Sequence, residues 1–142
     1  MSDTRPSVLF HGSGLPDIAV LEPRRIFMPG EVDPEKWPAL VYASDLAAFA
    51  AAHAFPWDSE DGFQLSVDFH KRVKMRIPQV LSGLLRRPVY LYTVMAEGFE
   101  RTREELTGHT FHCGRPVPVM TCKAFDSVEA AITATGGVVT YF

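Results

Sequence analysis

His11, Gly12 and Ser13 follow three apolar residues, Val8-Leu9-Phe10, so an imidazole, a bare backbone and a hydroxyl arrive together at the end of a short buried strand. Gly12 has no Cβ, and a flat ligand can lie against its N–H and C=O groups while His11 donates or accepts a hydrogen bond. Gly12 and Gly14 are expected to turn the chain at this point. The competing reading of the same triplet is a satisfied core histidine followed by a plain turn. Tyr42 is placed in a similar way, near the end of Leu40-Val41-Tyr42-Ala43-Ser44, a second stretch with strand character.

Other residues suggest other chemistry. His109, His112, Cys113 and Cys122 are four possible zinc ligands, but the close cysteine pairs of standard zinc fingers are absent. In an extended strand His109 and His112 would also point to opposite faces. Arg72, Lys74 and Arg76 share one face if their segment is extended, forming a basic stripe that is either a solvated surface or a phosphate and nucleic-acid contact. Trp37 either packs on the core or faces a ligand. No phosphate loop of the Walker type is present, and Ser13 with His11 lacks the strand-turn-helix context of a nucleophile elbow.

The elements that must position these residues follow from local pattern. From Leu15 to Pro38 the prolines Pro16, Pro23, Pro29, Pro34 and Pro38 exclude a helix or a central strand. A long loop of this kind is expected to wall or cover a site, with Ile18, Val20, Leu21, Ile26 and Phe27 pinning it to the core. Ser44 or Asp45 is expected to cap a helix running from Leu46 to Ala54, anchored by Phe49 and stopped by Pro56. The alternation of Phe63 to Phe69 predicts a half-exposed strand. A short helix is expected from Gln79 to Arg86 with Val80, Leu84 and Leu85 inward. Val89 to Met95 and Val117 to Phe125 read as strands, with a polar segment from Glu97 to Thr110 before the second. A helix from Val128 to Thr135 is capped by Asp126 or Ser127 and ended by Gly136-Gly137, and Val138 to Phe142 closes the chain as a strand. This order is α+β rather than a regular βαβ alternation.

A chain of 142 residues with 46% hydrophobic and 22% charged residues has the balance of one globular domain, spanning 1–142, and not of a disordered segment. No apolar run approaches the ~20 residues of a membrane span and the first residues lack a secretory pattern, so a cytoplasmic protein without membrane partners is expected. Two cysteines are too few for a disulfide scaffold and read as buried thiols. The net charge of −3 argues against nucleic-acid binding by the whole surface but allows a local basic groove.

Taken in order, His11-Gly12-Ser13 on the first strand and Val41-Tyr42-Ala43-Ser44 before an Ala/Phe helix resemble the first two motifs of the ADP-ribosyltransferase fold. The branch they resemble is the diphtheria-toxin-like and poly-ADP-ribose-polymerase-like one, which carries a His-Tyr-Glu triad. Small bacterial members also show a strand like Val89-Tyr90-Leu91-Tyr92, a Phe as at Phe99, and a Val-Pro strand as at Val117-Pro118, so the resemblance covers most of the chain. It implies two small, mostly antiparallel sheets forming a cleft, with flanking short helices and NAD+ as substrate. It also implies that His11 bonds the ribose, that the Gly12 backbone grips the nicotinamide amide beside Ser13, and that Tyr42 stacks on the nicotinamide ring. These roles suit the chemistry, since a planar cation prefers an aromatic face and an amide needs one donor and one acceptor.

The implied reaction is transfer of ADP-ribose, or cleavage of NAD+ at the nicotinamide–ribose bond; the acceptor can be a protein, a nucleic acid, a small molecule or water. The sequence departs from the family where the Glu is expected, because Gly108 to Pro116 holds no carboxylate. Thr110 stands closest to that place by register, while Glu104 and Glu105 lie upstream in a segment able to cover the site. Losing a principal electrostatic group costs on the order of 10²-fold or more in rate. Two alternatives therefore stand beside the enzyme: a catalytically degenerate nucleotide-binding or protein-interaction module, and a small zinc-binding domain.

Overall fold

The computed structural model of the chain describes residues 6–24, 39–55, 57, 59–102 and 108–142. Ile26, Phe27, Trp37, Pro56 and the candidate carboxylates Glu104 and Glu105 lie outside the described residues. In order, the elements are β1 (Val8–Ser13), β2 (Val20–Leu21), β3 (Val41–Ser44), α1 (Ala47–Ala52), β4 (Gln64–Val67), β5 (Val73–Ile77), β6 (Val89–Met95), β7 (Glu100–Arg101), β8 (Thr110–Cys113), β9 (Val117–Phe125), α2 (Val128–Ala134) and β10 (Val138–Tyr141). They form a seven-stranded sheet in the order β2-β9-β6-β1-β3-β8-β7 and a three-stranded sheet in the order β10-β5-β4. The protein is a small mixed α+β chain whose strand pairs are antiparallel except β10 with β5.

β6 is rich in β-branched and aromatic residues and is paired on both sides, with β1 along six residues and with β9 across a register shift at Thr93/Val94. Its alternation feeds two cores. Val89 joins Phe49, Phe63, Met75, Ile77, Leu85 and Ile132 between the large sheet, the helices and the inner face of the small sheet. Val94 points the other way and joins Leu9, Leu21, Val41, Phe99, Phe111 and Val117. Burying both faces of β6 excludes water from its ladder. Tyr92, fully buried, uses its hydroxyl to donate to the Leu15 carbonyl and accept from the Ile18 amide, which fixes the loop after β1.

Several local expectations change. β1 runs through Ser13, so His11-Gly12-Ser13 lie in the strand and the chain turns only beyond it. α1 ends at Ala52 and its N-cap residue, Leu46, makes no side-chain cap; the Ser44 hydroxyl accepts the Leu46 amide just outside the helix. Asp45 is directed instead to His109. At the other end, the carbonyls of Phe49 and Ala52 accept from His53 Nδ1 and Trp57 Nε1, satisfying groups a helix end leaves without partners. The segment Gln79–Leu85 is a 3₁₀ helix, whose three-residue turn rotates the inward face: Leu85 is buried, but Val80 and Leu84 are exposed. Val20 is likewise exposed while Leu21 is buried, the alternation of an edge strand. Ser127 caps α2 as expected, its hydroxyl accepting the Ala130 amide. Among the described residues, no helix is long and apolar enough to cross a membrane.

Candidate functional site

β1 and β3 pair at Phe10 opposite Ser44 and, among the described residues, at no further position. Beyond that pair the imidazole of His11 fills the seam, its Nδ1 lying 2.7 Å from the Tyr42 carbonyl oxygen. A carbonyl can only accept, so Nδ1 carries the proton and the neutral ring presents Nε2 as an acceptor. Burial lowers the His11 pKa below its ordinary value; the Tyr42 carbonyl pulls it up and the nearby Arg24 charge pushes it down again. Burial also raises the Tyr42 phenol, which stays an O–H donor.

Cross-strand register extends the site outward. Tyr42 stands opposite His112 on β8, and His112 stands opposite Glu100 on β7, so the three side chains share one face of the sheet. The Tyr42 and His112 rings are 6.5 Å apart between centroids and tilted by 57°. His112 Nδ1 is 2.8 Å from the Thr102 hydroxyl, and its Nε2 is 3.8 Å from a Glu100 carboxylate oxygen. Glu100 is 83% exposed against 28% for His112, leaving the carboxylate room to swing toward a ligand over the row. An aromatic face, an imidazole and a carboxylate in line can hold a flat cation beside a sugar hydroxyl.

Gly12, by the same register, stands level with Tyr42, but its missing side chain serves another neighbour. A Cβ there would lie 2.2 Å from the Ala50 carbonyl oxygen, so it is α1 that requires the glycine, and a ligand is left only the backbone edge. The Ser13 hydroxyl accepts the Leu15 amide and stabilises the turn after β1. Thr110 opens β8 opposite the buried Ser44, two residues from His112 on the same face.

The possible zinc ligands are not brought together. His109 Nδ1 lies 2.9 Å from the Asp45 carboxylate, and Cys113 is buried in the second core. Cys122 is on β9, four strands from β8 and so roughly 19 Å away along the sheet. Among the described residues, no three His, Cys, Asp or Glu side chains form a group able to hold a metal ion.

Glu100 is the residue that sequence reasoning missed. It lies in a two-residue strand with no periodicity of its own, and its partner His112 is a dozen positions on; the buried Phe99 before it was the only local sign that the chain returns to the sheet. A separate, open polar depression of about 350 Å³ is lined by Gln79, Ser82, Leu85, Arg86, Ser127, Glu129 and Tyr141, away from these residues. There the Tyr141 hydroxyl donates to Glu129, and burial together with that carboxylate pushes its pKa up to about 12. No family model, no curated protein and no solved structure matches the chain.

Proposed function

We propose that the seam between β1 and β3 and the row Tyr42-His112-Glu100 bind NAD+, and that the protein is an ADP-ribosyltransferase-like enzyme cleaving the nicotinamide–ribose bond. The observation that carries this reading is the hydrogen bond from His11 to the Tyr42 main chain, which joins two motifs 31 residues apart on adjacent strands. In this reading the nicotinamide ring stacks on Tyr42, while Nε2 of the neutral His11 accepts a ribose hydroxyl. The C1′–N bond breaks with its electron pair leaving on nicotinamide, which departs neutral. The oxocarbenium-like ribose is then captured by an acceptor that gives up a proton. Glu100, free to swing over the row, takes the part of the carboxylate that stabilises the developing positive charge.

The test is calorimetric titration with NAD+ alongside nicotinamide release, for the wild type and for Tyr42→Ala, His11→Asn and Glu100→Gln. Tyr42→Ala and His11→Asn are expected to weaken binding about tenfold or more, as removal of a stacking face or a buried hydrogen bond does. Glu100→Gln is expected to preserve binding and lower release by about 10²-fold. Failure of the folded wild type to bind at millimolar NAD+ rejects the reading. The exposure of Glu100 supports a second reading, a nucleotide-binding module without efficient chemistry, because a solvated carboxylate is strongly screened. That module binds NAD+ in the same titration and releases no nicotinamide.

A further inference from the structure

We infer that the outer face of the three-stranded sheet is a binding surface for single-stranded nucleic acid. Alternation on β5 sends Val73, Met75 and Ile77 into the core and leaves Lys74 and Arg76 outside. Register places Ser66 opposite Lys74 and Gln64 opposite Arg76 on one side, with Val138 and Thr140 opposite them on the other. These six residues cover the outer face with two cations and no carboxylate. The cationic row continues into the β4–β5 turn through Arg72 and Lys71. Asp68, the one carboxylate of that turn, holds it through one oxygen that accepts the amides of both His70 and Arg72, and its single charge offsets only part of the row. On a chain of net charge −3, this is a local concentration of positive charge.

Aromatic groups stand at both ends of the row. Phe69, in the turn, is fully exposed. At the far end Phe142 is half exposed, and the Arg76 guanidinium lies 4.8 Å over its ring while donating to Gln64. A guanidinium set over a ring is a platform on which a base can stack, and Lys74 two residues along the strand, ~7 Å away, supplies the next phosphate contact. A line of cations with an exposed aromatic at each end suits a strand whose phosphates and unpaired bases both need partners. A membrane surface offers phosphate but no unpaired base, and so leaves the Arg76 and Phe142 pair without a stacking partner. This inference is independent of the NAD+ reading.

The test is fluorescence anisotropy of the full chain with a labelled oligonucleotide of about 12 nucleotides, over a range of salt. The wild type is expected to bind in the micromolar range, with affinity falling as salt rises by a slope of about −0.7 for each phosphate neutralised. Lys74→Glu with Arg76→Glu is expected to weaken binding at least tenfold and flatten the salt slope. Arg115→Glu with Lys123→Glu, an equal change of net charge elsewhere, is expected to leave it within twofold. Phe142→Ala is expected to weaken binding about fivefold or more through lost stacking. Circular dichroism establishes that each variant is folded, and Lys74→Gln with Arg76→Gln repeats the test without reversed charge. Absence of binding, equal weakening by both charge-reversal pairs, or capture by phosphatidylserine vesicles without oligonucleotide binding overturns the inference.

Discussion

At His11, burial and a hydrogen bond pull in opposite directions, and burial wins, so the folded protein holds the ring neutral more firmly than the unfolded chain does. The unfolded state therefore binds the extra proton first as pH falls. The stability His11 contributes is complete above its ordinary value of 6.5 and is lost as pH falls from there through the lowered folded value. His11→Gln, which cannot titrate, is expected to show a shallower loss of stability between pH 7 and pH 5 than the wild type, while the difference between the two stays constant above pH 7. Urea melts across that range measure it, and parallel curves would mean that His11 titrates alike in both states. His11→Ala is expected to cost about 1–3 kcal/mol at neutral pH, because the Tyr42 carbonyl loses its donor.

Between β1 and α1, contact distance decides which substitutions survive. A methyl group at Gly12 meets main-chain oxygen of Ala50 and the Ala54 side chain, neither of which has a rotamer to escape into. Gly12→Ala is expected to destabilise by about 3 kcal/mol or more, whereas Gly14→Ala, whose nearest neighbour is 3.9 Å away, should stay within about 0.5 kcal/mol. A neutral Gly12→Ala in denaturant melts would place α1 away from β1. The same contact explains what was hard to read. Gly12 and Gly14 look like a turn signal in the sequence, yet Gly12 serves a helix more than thirty residues on, a requirement no local pattern encodes. β6 was legible to the residue because its β-branched and aromatic run is unbroken and mostly buried, and β9 through its Val-Pro-Val start and its lack of any helical period, although most of its side chains are exposed. β7 was not, because two residues carry no period and only pairing with β8 makes them a strand. Glu100 was hidden with it, whereas His11 and Tyr42 were visible as polar or aromatic residues on strongly apolar strands.

Across the whole molecule, the two cores lie on opposite faces of one sheet and are joined by strands that contribute to both. β6 gives Val89 to the first and Val94 to the second; Leu9 belongs to the second while α1 rests on the neighbouring Gly12. The class α+β was legible from the order of elements, but that two clusters would share one central sheet was not, since it depends on strand order between segments far apart in sequence. A defect in one core should therefore reach the other through β1 and β6. Trp57 packs against the first core, so in a Trp37→Phe background its fluorescence reports on that side alone. Leu9→Ala removes a fully buried side chain from the second core and is expected to lower stability by about 2–5 kcal/mol. If the sheet couples the clusters, Trp57 fluorescence and far-ultraviolet circular dichroism will report one transition, shifted equally to lower urea although Leu9 lies outside the Trp57 cluster. A Trp57 transition left at its wild-type midpoint, with an earlier step seen only by circular dichroism, would show that the first core stands without the second. The seam between β1 and β3 would then lie at a boundary between separately folding units.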